Sequence, residues 1–206
     1  MRKLFQYPQM GLEIIAYRLR NQGLATTLLW LYVRGIDFIR GIPFQRYCQI
    51  TPVLYVGPQY RKSGKQALER WGITGSINMR TEHDDALHGL TFNHYCHLPT
   101  VDDQAPTLNQ LERGVEFIDK LLSDGGKVYI HCAGGIGRAP TMAAAYFIHQ
   151  GMALEEAIAL IKKTRPIIRI MPPQIEQLKR YEVLQCEIRD ESLEIPFRDR
   201  ETTREG

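Results

Sequence analysis

Long apolar runs are what this chain most plainly lacks. The longest, Leu24 to Val33, is interrupted by Thr26 and Thr27 and falls short of the roughly 20 apolar residues that span a bilayer. The expectation is a cytoplasmic protein, soluble or at most peripheral to a membrane. The N-terminus also lacks a compact apolar region followed by a small-residue cleavage site, so no secretory signal is expected. Cysteine is scarce and scattered. Cys48, Cys96, Cys132 and Cys186 show no paired spacing, which excludes a disulfide framework and a zinc site and points to a reducing compartment, with no metal and no cofactor. Net charge is small, +3 from 26 basic and 23 acidic residues, and suggests no nucleic-acid partner. Internal repeats are absent too.

What is present begins with a distribution of charge. Residues 1–50 carry seven basic side chains (Arg2, Lys3, Arg18, Arg20, Arg34, Arg40 and Arg46) against Glu13 and Asp37, so the remainder is slightly acidic. Residues 8–42 read as one or two helices broken near Asn21-Gln22-Gly23. Leu24, Leu28, Leu31, Phe38 and Ile42 follow helical spacing, with Arg34, Asp37 and Arg40 between them. The favoured reading packs that apolar side on the main domain. Its rival lays the helix on a membrane surface, with Trp30 and Tyr32 at head-group level and the arginines on anionic lipid.

From Gln49 the pattern alternates. Strands are expected at Val53–Val56, Ile73–Met79, Phe92–Leu98 and Lys127–His131, and helices at Ser63–Trp71, from Leu108 to Asp124, and at about 139–150, 154–164 and 173–187. The 206-residue chain thus suits an α/β fold: a single domain with a central, mainly parallel sheet flanked by helices, plus an N-terminal helical segment. The divisions are 1–48 for the amphipathic helical segment, 49–187 for the domain, and 188–206 for a charged tail.

One run stands out: His131-Cys132-Ala133-Gly134-Gly135-Ile136-Gly137-Arg138, where a strand pattern gives way to a helix pattern. A cysteine ending an apolar strand is by itself often a small buried hydrophobe, and a glycine turn often merely joins two elements. Here the glycines, the arginine at the helix mouth and Pro140 in the first helical turn come together. A loop over Ala133, Gly134, Gly135, Ile136 and Gly137 would aim its N–H groups inward as a nest, and Arg138 would close the ring with a planar fork of donors. A phosphoryl group would fill it, with Cys132 beneath the phosphorus. The same donors favour thiolate over thiol. No Gly-Lys-Ser/Thr follows the glycines, so a nucleotide-binding P-loop is excluded.

This run resembles the protein tyrosine phosphatase superfamily, specifically its dual-specificity branch, over roughly residues 50–185. That family shares His-Cys, five residues and Arg, an acid-bearing loop some thirty residues upstream, and a short helical domain behind. Low-molecular-weight phosphatases use the same spacing near the N-terminus, with the acid far downstream, and the order here argues against them. The resemblance implies Cys132 as nucleophile, Arg138 as phosphate clamp, and amides of Ala133 through Gly137 as phosphate ligands. His131 would support the loop and the thiolate, or play a neutral structural role. In Leu98-Pro99-Thr100-Val101-Asp102-Asp103 it selects Asp102 as general acid and then base, with Asp103 as fallback. Both aspartates could instead solvate a loop or cap the next helix, though Thr107 is better placed for capping.

The implied function is a cysteine-dependent phosphomonoester phosphatase acting through a cysteinyl-phosphate on phosphoprotein or phospholipid head-group phosphates. The alternative is a phosphate-binding module with little turnover. Thr100-Val101-Asp102, Pro106-Thr107-Leu108, Thr141 to Tyr146, Glu155 to Ile158 and Pro172-Pro173-Gln174 resemble the mitochondrial phosphatidylglycerophosphate phosphatase type within the branch. Two departures stand out. Ala139 replaces the usual Ser or Thr after the arginine, as in the Gly-Arg-Ala-Pro string of the phosphatases of regenerating liver and the plant glucan phosphatases, and implies slower breakdown of the intermediate. The loop interior carries no basic residue, which argues against highly phosphorylated inositides. Arg80, Lys162, Lys163, Arg165 and Arg169 are expected to be solvated surface residues rather than rim charges.

Overall fold

The computed structural model describes the backbone of residues 6–194 and the side chains of residues 14–190. Val128, Tyr129, Ile130, His131 and Cys132 are all buried, so the strand they form needs cover on both faces and neighbours on both edges. It has them. Strands β1 (Leu54–Pro58), β2 (Gly75–Arg80), β3 (His94–Thr100) and β4 (Val128–Cys132) make one sheet in the order β1-β4-β2-β3, every pairing parallel.

Two helices precede and follow β1: α1 (Gln6–Arg40) and α2 (Lys62–Arg70). The other four are α3 (Leu108–Ser123), α4 (Arg138–His149), α5 (Leu154–Thr164) and α6 (Pro172–Glu194). Side-chain alternation along the strands sorts the core into two layers. Leu54, Val56, Ile77, Leu98, Val128, Ile130 and Cys132 join residues of α3 to α6 on one face. Tyr55 and Tyr129 join Leu68 of α2 with Ile73, Leu90 and Phe92 on the other. Cys132 thus ends a central strand at its carboxyl edge, where open parallel sheets bind ligands.

Local chemistry explains several boundaries. Thr107 caps α3 in a reciprocal box with Gln110 (3.2 and 2.9 Å), which leaves Asp102 and Asp103 free of capping duty. Strand β1 runs through Gly57 to Pro58, two residues past the expected Val56, and β3 runs on to Thr100, so the loop carrying Asp102 starts at Val101. Helix α6 extends to Glu194, seven residues past the expected end. The rest of the charged tail, from residue 195, lies outside the described residues, as do Arg2 and Lys3.

Helix α1 breaks at Gly23 (φ 80°) as expected, but its orientation is the reverse of the favoured reading. Leu24, Leu28, Leu31 and Phe38 are exposed, while Asp37 is buried and Arg34 is half-buried against the domain. Trp30 also turns inward, beneath the Arg18 guanidinium at 4.6 Å. The reason is polar. Arg18 donates to the Ile167 carbonyl (3.3 and 3.4 Å), Gln22 to that of Ile168 (3.0 Å) and Arg34 to that of Ala133 (3.3 Å). Three carbonyls in irregular backbone need donors, and the polar side of α1 supplies them.

Candidate active site

Every carbonyl of the 133–137 loop is tied outward. Ala133 O accepts from the Gln59 amide (3.4 Å) and Arg34; Gly134 O and Gly135 O accept from Arg165 (3.0 and 2.6 Å). Ile136 O accepts from the Arg169 amide (2.6 Å), and Gly137 O from the amide and hydroxyl of Thr141 (3.0 and 2.9 Å). In a trans peptide N–H and C=O point in opposite directions, so carbonyls held outward turn the following amides inward. The nest is built from behind. Gly135 adopts φ +63°, and a Cβ there would collide with the Gly57 carbonyl group. Of the loop's three glycines it is the one whose backbone demands the residue.

Inside this ring lies Cys132, 2 % exposed, whose Sγ accepts from the Gly135 amide at 3.2 Å. Cys48, sealed behind the loop, has its thiol pushed up to about 11 by burial. Helix α4 begins after Gly137 with no side-chain cap, so its first amides and partial positive charge remain available at the loop.

Arg138 is buried, and a carboxylate unmarked in the sequence holds it. Glu82 takes both terminal nitrogens, each at 3.0 Å, and Thr100 O accepts at 2.8 Å. Hydrogen bonding to Arg138 holds the Glu82 carboxyl down at about 2. Asp102 Oδ1 lies 3.0 Å from Arg138 Nη2. The Nε–H of Arg138 is buried and has no partner, an orphan donor at the loop mouth that a phosphate oxygen would satisfy.

Asp102 and Asp103 diverge. Asp103 has φ 59°, a left-handed conformation that Asp tolerates, and its carboxylate lies 3.6 Å from Arg169. Asp102 therefore meets the loop arginine and Asp103 does not. Gln174, fully buried, steadies this segment by donating to Gln104 O (3.0 Å) while its own carbonyl accepts from the Met171 amide (2.9 Å).

His131 alternates away from Cys132 along β4. Its Nε2 lies 2.9 Å from Asp85 Oδ2, with both side chains fully buried. Gln59 and Tyr60 also donate to Asp85 (2.9 and 3.1 Å). Burial alone would raise the Asp85 carboxyl, but His131 and these donors outweigh it and the net displacement is downward. His131 is thus anchored on the far side of the strand by Asp85.

Besides Asp85 beside His131, Arg165, Arg34 and Glu82 escaped the sequence reading. Arg165, expected on the surface, is fully buried, and it donates to Tyr47 O (3.0 Å) as well as to two loop carbonyls. Arg34 supplies a cation beside the loop that the loop itself lacks. Glu82 has no local signal, since it follows a strand end and pairs with a residue 56 positions away. Among the described residues no cluster of His, Cys, Asp or Glu could hold a metal ion.

The chain is similar to known proteins over this region. Residues 54–183 match the dual specificity phosphatase catalytic domain. Dual specificity protein phosphatase 2 of Mus musculus is 33 % identical over 122 residues, covering 58 % of this chain and 38 % of its own length. Dual specificity protein phosphatase 5 of Rattus norvegicus is 31 % identical over 136 residues, covering 65 % and 35 %. The match therefore spans little more than a third of these curated relatives. The solved structure of PTPMT1 in complex with PI(5)P superposes with a TM-score of 0.63 at 30 % identity, covering 68 % of this chain and 96 % of that one. Human DUSP28, at 23 % identity and a TM-score of 0.61, shares the fold.

Proposed function

Since the chain belongs to the dual specificity phosphatase catalytic-domain family, we propose that it hydrolyses phosphomonoesters through a cysteinyl-phosphate. The observation that carries this reading is the loop whose carbonyls are all bound outward, around a sulfur that accepts an amide, beside an arginine with one buried unpartnered N–H. A phosphate dianion entering the loop meets inward amides and the free Nε–H of Arg138. It competes with Asp102 for Nη2. The Asp102 carboxyl, once displaced, stands beside the leaving oxygen.

Cys132 thiolate then attacks phosphorus in line, the P–O bond to the leaving group breaks, and protonated Asp102 delivers the proton that oxygen needs. Water attacks the cysteinyl-phosphate in the second step, giving its proton to Asp102 and releasing inorganic phosphate and the thiolate. Glu82 and Thr100 O position the guanidinium throughout. Substrates of this site are phosphoprotein or phospholipid head-group phosphates. Arg34 beside Ala133 supports an anionic neighbour to the reacting phosphate, and the 30 % identical PTPMT1 is described in complex with PI(5)P.

The test is phosphate release from a chromogenic aryl phosphate by the full chain and by Cys132→Ser. Robust release that vanishes in the variant is expected. Equal, slow release by both proteins would leave a phosphate-binding module without turnover. Phosphotyrosine and phosphothreonine peptides, compared with phosphatidylglycerophosphate and phosphoinositide vesicles, then identify the substrate class.

A further inference from the structure

The second half of α1 presents an apolar stripe to solvent. Leu24, Leu28, Leu31, Tyr32, Phe38 and Ile39 are exposed, from 42 % at Leu31 to 79 % at Ile39. Ala25 and Gly35 are exposed between them, so no charge interrupts the stripe. The opposite side holds Thr27, Val33 and Asp37, all buried, with Arg34 on the catalytic loop. A helix held in place by hydrophobic burial alone would take the reverse rotation. Its outward face is a contiguous apolar patch, the kind of surface that marks an interaction site.

The surrounding charge indicates the partner. Between residues 14 and 62 the exposed charged residues are Arg20, Arg40, Arg46, Arg61 and Lys62, all basic. The one acid in that range, Asp37, is buried. Arg40 follows Ile39 directly, and the Arg61 guanidinium lies over the Phe38 ring at 5.6 Å. An apolar stripe with aromatic rings and a fringe of cations complements a surface that is anionic at its rim and hydrocarbon beneath. Among the described residues no helix is long and apolar enough to cross a membrane, so α1 lies in the interface plane when it docks.

We propose that the outward face of α1 docks the protein on an anionic lipid bilayer. The consequence for catalysis rests on the phosphatase reading: the substrate is then a phosphomonoester carried by a lipid. The turns that dock are the turns that hold the loop, since Leu28, Leu31 and Phe38 flank the inward Arg34 bound to Ala133 O.

The test is co-sedimentation of the full chain with vesicles of phosphatidylcholine, with and without phosphatidylglycerol, alongside aryl phosphate hydrolysis in the same samples. Wild type is expected to bind the anionic vesicles, less so at high salt. Leu28→Glu with Phe38→Glu should weaken binding by about tenfold or more while leaving aryl phosphate hydrolysis unchanged. If that double variant is unstable, Leu24→Gln and Ile39→Gln should each weaken binding by about twofold. Absence of vesicle binding, or equal binding by wild type and the variants, overturns the proposal. A dimer that the same substitutions dissociate, without vesicle binding, assigns the face to a second copy and overturns it too. Vesicle binding without aryl phosphate hydrolysis would strike the phosphatase reading and leave the docking face standing.

Discussion

Replacing Arg165 with Met removes the support of the 133–137 loop while leaving every loop residue in place. The guanidinium donates to Gly135 O, Gly134 O and Tyr47 O at 2.6, 3.0 and 3.0 Å, and the side chain is fully buried. Loss of the buried bond to Gly135 O orphans a carbonyl, at a cost of about 1–3 kcal/mol. The other two carbonyls are partly accessible, so water can replace the donor and each loss is about 1 kcal/mol. The sum is roughly 3–5 kcal/mol, with the bonds sharing one side chain and so not strictly additive. For a chain of this size that lowers the melting point by about 6–20 °C.

Asp37 adds to the effect. Its carboxyl is pushed up by burial and drawn back by Arg165 and Arg34, so it loses one of two stabilising cations. The catalytic effect is separable from stability. Below its melting point the variant should lose about a hundredfold in kcat/KM on an aryl phosphate, because the amides aimed by the Gly134 and Gly135 carbonyls lose their restraint. Arg165→Lys keeps the charge but not the fork, and should fall between the two. Calorimetry and steady-state kinetics give both numbers. A melting point within about 2 °C of wild type, the range of a surface substitution, together with unchanged kcat/KM, would refute the assignment of Arg165 as the loop's support.

Gly135→Ala places a Cβ against the Gly57 carbonyl group at positive φ; it should reduce kcat/KM by about a hundredfold or more, whereas Gly134→Ala should be mild. Asp102→Asn should lower kcat by about 10²–10⁴ and remove a limb of the pH profile, while Asp103→Asn, aimed at Arg169, should leave the profile's shape intact. Glu82, held near 2 against an ordinary 4.5 chiefly by Arg138, contributes stability that is fully present above 4.5 and lost as pH falls toward 2. Thermal melts of Glu82→Gln across that window should show a shallower acid dependence than wild type. Ala139→Ser should speed turnover where hydrolysis of the intermediate limits the rate, as measured by burst and steady-state phosphate release.

The strand, loop and helix around Cys132 were legible because their chemistry is contiguous. Eight residues in a row carry the strand end, the turn and the arginine, and backbone preferences over so short a span are local. Thr107 and Gln110 were legible for the same reason, being three residues apart. Glu82, Arg165 and Asp85 were not. Their partners lie 56, 30 and 46 positions away along the chain, at Arg138, Gly135 and His131, and nothing adjacent to them marks the pairing. For Arg165 the general preference of arginine for the surface pointed the wrong way, because a loop that aims its amides at a ligand must have its carbonyls bound elsewhere.

The same demand explains why α1 defeated its own periodicity. Spacing shows which residues share a face but not which face turns inward, and the usual rule that the apolar face goes in assumes an apolar neighbour. Here the neighbours are the carbonyls of Ala133, Ile167 and Ile168, in segments that cannot pair with a sheet or close into a helix. Arginine and glutamine satisfy them, and Leu24, Leu28, Leu31 and Phe38 are left on the outside as a result. Carbonyls of the 133–137 loop and of residues 167–168 thus set the rotation of a helix remote in sequence. The apolar stripe that rotation leaves uncovered bears on the membrane question, which the catalytic motif could not address.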